Sequence, residues 1–259
     1  MVKVNQELCI GCGLCAADCL AFNIQVNGEK AEVKGDCLEC GHCVAVCPAN
    51  AVSIEGYDME DMEEYDEETF KVDPENLLRA IKFRRSIRFY KDEKVTEKDL
   101  HMLAQAGRYT ATAKNNQDCH FVFVQEERDE LKERVWGYID ALGKHVDKAL
   151  LPYVAFNRRR LKDPTDDYLF RNAPVVLFVT SDWPVDAGLA AQNIETMANA
   201  LGMGALYNGF LARIADANED LKKWLGIEGK TIKACLLLGY PDRKYARTAP
   251  RKEGNVILK

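Results

Sequence analysis

No run of about 18 or more apolar residues occurs in the 259-residue chain, so no membrane-spanning helix is expected. Residues Met1 to Cys9 carry no apolar stretch of the kind that marks an export signal, and a cytoplasmic setting is expected. Basic residues are outnumbered, 35 against 41 acids, for a net charge of −6. That balance supplies no broad phosphate-seeking surface and excludes nucleic acid as an expected partner. A nicotinamide-dinucleotide fingerprint is also missing: Gly202-x-Gly204 lacks the third glycine and follows a helical stretch instead of a strand. The four histidines, His42, His101, His120 and His145, show no ligand spacing, although His42 adjoins Cys43.

Cysteine, by contrast, is plentiful and regular. Cys9-x-x-Cys12-x-x-Cys15-x-x-x-Cys19 is repeated as Cys37-x-x-Cys40-x-x-Cys43-x-x-x-Cys47, followed by Pro48. Zinc takes four ligands, usually as two pairs separated by a longer spacer. Here each run is a tight quartet, and the quartet occurs twice. This spacing is that of iron–sulfur runs in which the fourth cysteine serves the other run's cluster. Three thiolates spaced by two residues can wrap one face of a cubane. The fourth lies on the following turn and points away. One 4Fe-4S cluster is therefore assigned to Cys9, Cys12, Cys15 and Cys47, and the other to Cys37, Cys40, Cys43 and Cys19. Residues 1–56 resemble the two-cluster bacterial ferredoxins, with Leu20 after Cys19 where the second run has Pro48. Thiolates committed to clusters imply a reducing, anaerobic setting.

Charge divides the chain further. Residues 55–75 hold eleven acids against Lys71, so this segment carries −10 and the remainder +4. Residues 57–72 read as a solvated acidic linker, with a draped helix presenting Met59, Met62 and Tyr65 as the alternative. Asn27-Gly28 between two short apolar runs signals a hairpin. Asp73-Pro74 opens a helix reaching about Arg84. Thr96 with Asp99 forms a capping box for a second. Residues 121–124 are a buried strand, 127–150 a long amphipathic helix, 175–179 a strand, 187–201 a helix and 231–238 a strand. Arg158-Arg159-Arg160 falls in a polar connection. Residues 73–259 thus form an α+β or α/β domain, with Cys235 in its core.

Two stretches in this domain carry chemistry. Arg84-Arg85-Ser86-Ile87-Arg88 concentrates guanidinium groups and a hydroxyl, which suits a phosphate. Thr112 through Gln117, including Asn115, offers small and amide side chains able to read a ring edge that presents donors and acceptors.

In this order the two stretches, with Asp186-Ala-Gly-Leu-Ala-Ala-Gln-Asn193, Ala200-Leu-Gly-Met-Gly204, Leu238-Gly-Tyr-Pro241 and Ala249-Pro-Arg-Lys252, resemble the FMN-dependent nitroreductase family. The resemblance covers about residues 74–259. It implies a three-layer α+β fold, a homodimer and FMN at the subunit interface. By that resemblance Arg84, Arg85, Ser86 and Arg88 would hold the phosphate and pyrimidine side. Arg251 would complete the phosphate site, Thr112 and Asn115 would reach the ring of the partner's flavin, with Gln117 beside them, and Asn208-Gly209 would face flavin N5. Asp118-Cys119 stands where the family commonly has Pro-Trp, and Cys119 reads as a small hydrophobe. The expected activity is transfer of electrons from the clusters through FMN to a nitro, quinone or other conjugated acceptor. The alternatives are an electron-transfer protein using FMN as a one-/two-electron converter, and a narrower reductive enzyme such as a dehalogenase. Reduced ferredoxin or NAD(P)H would be the donor. Residues 145–172 are the expected substrate lid.

Overall fold

The computed structural model describes residues 1–142 and 151–259. The chain separates into two compact units, one of Met1–Lys71 with Lys114–Asn116 and one of Val72–Ala113 with Gln117–Lys259.

The first unit repeats one pattern. Its elements are β1 (Val2–Val4), α1 (Leu14–Ala17), β2 (Ile24–Asn27), β3 (Lys30–Val33), α2 (His42–Ala45) and β4 (Val52–Ile54). Strand β1 pairs antiparallel with β4, and β2 with β3. Each cysteine run enters its one-turn helix through a left-handed glycine, Gly13 at φ 79° and Gly41 at φ 78°. A side chain is disfavoured at both. Asn27 pairs with Lys30, so the hairpin turns on Gly28-Glu29, one residue later than the Asn27-Gly28 reading; Gly28 takes the left-handed φ of 68°. The apolar core is small, and Cys9, Cys15 and Cys43 are themselves members of it beside Val2, Ile24, Val52 and Ile54. The acidic segment holds only a 3-10 turn at Met59–Asp61 and the single-turn α3 (Glu67–Phe70). Asp58 and Asp66 cap these turns. Met62 and Tyr65 stay exposed, and the draped-helix alternative is not formed.

In the second unit α4 (Pro74–Phe83) begins as read, with Asp73 accepting from the Asn76 amide at 2.7 Å. The hydroxyl of Thr96 accepts from the Asp99 amide at 3.1 Å and opens α5 (Glu97–Arg108). The Asp99 carboxylate accepts from the Tyr240 hydroxyl, which leaves only half of the box closed locally. There follow β5 (His120–Val124), α6 (Arg128–Ala141), α7 (Leu151–Lys162), β6 (Val175–Thr180), α8 (Pro184–Ala200), β7 (Gly204–Tyr207), α9 (Gly209–Asp216), α10 (Glu219–Trp224) and β8 (Ile232–Gly239). The sheet runs β5-β6-β8-β7, antiparallel throughout.

Strand β6 reads apolar without alternation because both of its faces are covered. Val176 and Phe178 pack toward α6 and α9, while Val175, Leu177 and Val179 pack toward α5 and α8. Each such fully buried side chain contributes roughly 1.5–3 kcal/mol. Helices therefore lie on both faces of one sheet, giving the three-layer α+β architecture. Among the described residues no helix is long and apolar enough to cross a membrane.

One expectation differs from the structure, and part of another falls outside the described residues. The helix read over 127–150 is described as Arg128–Ala141; its continuation, with His145, Val146 and the first part of the expected lid, lies outside the described residues. Arg158-Arg159-Arg160 belongs to α7 and not to a polar connection. Arg159 pairs with Asp166 at 2.6 Å, and Arg160 pairs with Asp140 while stacking 4.8 Å from the Trp136 ring. These non-local partners let an arginine run sit on a helix.

Candidate functional site

In the first unit Cys9, Cys12 and Cys15 line one cavity together with Cys47, the last cysteine of the other run. Backbone amides are aimed at the sulfurs. Ala31 N donates to Cys9 Sγ at 3.4 Å, Ala51 N to Cys47 Sγ at 3.3 Å, Asn23 N to Cys19 Sγ at 3.4 Å and Glu39 N to Cys37 Sγ at 3.2 Å. The amides of Ala31 and Gly11 hold the Cys9 thiol below its ordinary range. Burial, with Cys37 and Cys40 nearby, pushes Cys43 up to about 11. Burial raises Cys15 too, opposed by local amides and reinforced by Cys12 and Cys47. Thiolates crowded this way repel one another unless a strongly cationic centre binds them. All four donors around this cavity are thiols, the set that iron–sulfur clusters take. Gly11 permits the close loop: a Cβ there would stand 2.1 Å from the Glu29 carbonyl oxygen.

In the second unit the arginine segment is fixed by its one buried member. Ile87 N donates to the Ala205 carbonyl at 2.9 Å on β7. Its side chain covers Gly204, where an added Cβ would meet Ile87 Cγ1 at 2.1 Å. Tyr90 donates its hydroxyl to the Ile87 and Leu237 carbonyls. Pinned at both ends, the flanking arginines diverge. Arg84 Nη1 lies 2.9 Å from Glu195 Oε1 of α8, and Glu195 is buried with its second oxygen unpartnered. Arg85 stacks 4.3 Å from the Tyr245 ring and donates to the Arg247 carbonyl, leaving its buried Nε without a partner. Arg88 is exposed and borders a cavity of about 330 Å³. Arg251 stands exposed in the irregular C-terminal segment, so the part of that segment meeting Arg85 is 245–247.

Asn208 and Gly209 line the same cavity as Arg88. Asn208 caps α9, its Oδ1 accepting from Leu211 N at 3.0 Å while its Nδ2 donates to the Leu169 carbonyl at 2.6 Å. The chain is thereby locked where it passes from β7 into α9. Ser86 is half-buried beside Ile87. Thr112 Oγ1 accepts from Gln117 N at 3.0 Å, and Lys114, Asn115 and Gln117 all take positive φ, at 54°, 56° and 49°. Non-glycine residues in that region are held there by their surroundings. Asn115 belongs to the first unit, where its Nδ2 donates to the Leu38 and Glu39 carbonyls at 3.1 Å each. The Thr112 loop is anchored by the buried Asp186, which accepts from Ala113 N at 2.9 Å, and by Asn193 donating to Thr110 at 2.8 Å. Cys119 is half-buried and burial raises its thiol, which makes it a poor nucleophile.

Sequence reasoning missed Glu195 and two further arginines that line the cavity beside Arg88, Arg171 and Arg213. Glu195 could have been flagged as an acid inside a helix of small and apolar residues. The two arginines carry no local signal.

Comparison with known proteins agrees with both units. The 4Fe-4S dicluster domain family matches residues 1–48, and the nitroreductase family matches residues 81–240. A Methanothermobacter thermautotrophicus protein named as an NADH dehydrogenase/NAD(P)H nitroreductase is 28% identical over 181 residues, covering 66% of this chain and 80% of that one. A Vibrio harveyi NADPH-flavin oxidoreductase is 25% identical over 186 residues, 71% of this chain and 72% of its own. The crystal structure of a Bacteroides fragilis nitroreductase with bound FMN superposes with a TM-score of 0.58 at 25% identity, covering 70% of this chain and 97% of that one. With a three-layer fold, a pinned arginine segment and a match over more than half its length, the chain belongs to the nitroreductase family and carries a 4Fe-4S dicluster domain at its N-terminus.

Proposed function

We propose that this flavin oxidoreductase passes electrons from two 4Fe-4S clusters to FMN and on to a nitro, quinone or other conjugated acceptor. The observation that carries the reading is the open cavity bordered by Arg88, Asn208 and Gly209, in a chain that also gathers Cys9, Cys12, Cys15 and Cys47 around one cavity. A blocked space there would have favoured a pure electron relay.

The residues fit the cofactors they would hold. Cys9, Cys12, Cys15 and Cys47 would take one cluster, and Cys37, Cys40, Cys43 and Cys19 the other, with the amides aimed at sulfur offsetting thiolate charge. Arg85, Ser86 and Arg88 would hold the flavin phosphate and pyrimidine side, since the Arg85 Nε is an unspent buried donor. Arg84 would do so with part of its charge committed to Glu195, and Arg251 would close the site from the tail. Thr112 and Gln117 would border the ring, whereas the Asn115 amide is engaged by the Leu38 and Glu39 carbonyls. FMN, when bound, takes up electrons singly and delivers them in pairs. A quinone then gains two electrons and two protons to become a hydroquinone. A nitro group gains the same and loses water to become a nitroso group. The protein's part is to orient the acceptor and keep a positive field over the site; no side chain is assigned as a general acid.

A homodimer is part of the proposal. Helix α4 buries none of its residues, and Leu77, Leu78 and Ile81 lie exposed along it, an apolar face suited to a second copy. The donor is proposed to be reduced ferredoxin or a similar low-potential one-electron carrier, with NAD(P)H as the alternative that the names of the relatives support. Anaerobic turnover of the purified protein with reduced ferredoxin, NADH and NADPH against nitro, quinone and enoate acceptors tests the reading. Absence of flavin from the protein, or of turnover with every donor and acceptor, would overturn it.

A further inference from the structure

The cavity beside Arg88 has a second wall. There Arg171 and Arg213 face it together with the rings of Phe156, Tyr168 and Phe210. Among the described residues the lining contains three arginines and no aspartate or glutamate. Among the described residues none of the three makes an ion pair.

Neighbouring arginines show that this is selective. Two guanidinium groups stack on the Tyr168 ring, Arg159 at 4.3 Å and Arg171 at 3.9 Å. Arg159 is paired with Asp166 at 2.6 Å, whereas Arg171 has no acidic partner among the described residues. Stacking uses the guanidinium face and leaves its edge N–H groups available for a bidentate anion. Arg171 is held in a left-handed conformation, φ 58°, with its amide bonded to the Asp167 carbonyl at 2.6 Å. That strained placement fixes the side chain's origin. The rings form a continuous apolar surface, Phe156 lying 5.0 Å from Tyr168 and 5.0 Å from Phe210 by centroid. Tyr153 donates to the Phe210 carbonyl at 2.6 Å, and burial pushes its hydroxyl up to about 12, so this brace persists at ordinary pH.

Building on the flavin reading above, we infer that the acceptor is a planar conjugated molecule bearing a carboxylate, its ring against Phe156, Tyr168 and Phe210 and its charge on Arg171 and Arg213. A plane and an anion are what these walls can recognise together: rings alone would take neutral acceptors equally well, and arginines alone would take any phosphate.

The test uses the full-length, anaerobically purified holoprotein and calorimetric titration with para-nitrobenzoate and its neutral isostere para-nitrobenzamide. The benzoate is expected to bind about tenfold or more tightly, as two charge-assisted contacts predict. Arg171→Gln with Arg213→Gln should erase the preference while leaving benzamide affinity and flavin content unchanged. Equal affinities in the wild type, or an intact preference in the double variant, would overturn the inference. Loss of flavin from the double variant would show that these arginines hold the flavin phosphate, and would overturn it as well. If the double variant does not fold, Arg213→Gln alone, at an exposed helical position, should cost about threefold or more in the benzoate-to-benzamide ratio; an unchanged ratio overturns the inference. Failure of the flavin reading shows separately, as wild-type protein without flavin.

Discussion

Arg84 and Glu195, 111 positions apart in sequence, form an ion pair of 2.9 Å whose acidic member is 2% exposed. The pair ties the arginine segment to the middle of α8. It also divides the work of that segment, because a guanidinium facing a buried carboxylate has less charge left for a phosphate. Removing one partner strands the other in a poorly hydrated place. Arg84→Ala is therefore expected to destabilise the second unit by about 2–4 kcal/mol, less than for a fully buried pair because Arg84 retains some exposure. Glu195→Gln should cost less, since the amide can still accept from Arg84. Thermal unfolding of the variants checks this, and equal melting temperatures for Arg84→Ala and the wild type would refute it. Arg88→Ala, lacking such a partner, should spare stability and lower flavin retention after dialysis.

The Gly204–Ile87 contact gives an independent handle on the same segment. An added methyl at 204 would lie 2.1 Å from Ile87 Cγ1 and must displace the backbone that carries Arg85, Ser86 and Arg88. Gly204→Ala is expected to cost about 1–3 kcal/mol by overpacking and to weaken flavin binding although residue 204 offers no side chain to the flavin. Flavin release measured by fluorescence after gel filtration reads this out. Unchanged retention would mean that the segment's placement does not govern the cofactor.

Metal content follows from the two quartets. Anaerobically purified protein should contain about eight iron and eight acid-labile sulfide per chain, the sum of two cubanes, together with one FMN. Chelation of the iron should unfold the first unit, because cysteines form part of its small core and cluster bonds supply much of its folding free energy. Iron at half that level, stoichiometric zinc, or a first unit that keeps its protection from proteolysis after chelation would refute the assignment.

Much of this architecture was legible in sequence because the signals are local. Cysteine spacing needs only the repeat, and Asp73 and Thr96 announce their helices within three residues. Strand β6 announces itself by length and apolarity. What could not be read depends on partners far along the chain. Arg159 and Arg160 look like a solvated run until Asp166, Asp140 and Trp136 are brought beside them. Arg171 and Arg213 acquire meaning only when α9 and the segment before β6 share a cavity. Strand β7 was hidden by its glycine, which is there to admit Ile87.

The direction of electron flow is the most consequential expectation. One-electron carriers match cluster chemistry, whereas a flavin site alone suffices for a hydride donor. If clusters feed the flavin, replacing a ligand of each quartet should uncouple the one-electron donor without touching the flavin site. Cys12→Ser with Cys40→Ser places both changes at exposed cysteines, so the amide-bonded cysteines of the core remain. The variant should keep its flavin, still bleach with dithionite, and lose at least about tenfold in the rate at which reduced ferredoxin bleaches the flavin, because a one-electron path through two centres is interrupted. Stopped-flow absorbance under anaerobic conditions, with reduced ferredoxin and with NADPH in parallel, decides the matter. An unchanged ferredoxin rate would take the clusters off the path. A wild-type flavin reduced faster by NADPH than by ferredoxin, with cluster reduction following it, would reverse the flow and make the clusters the exit for electrons.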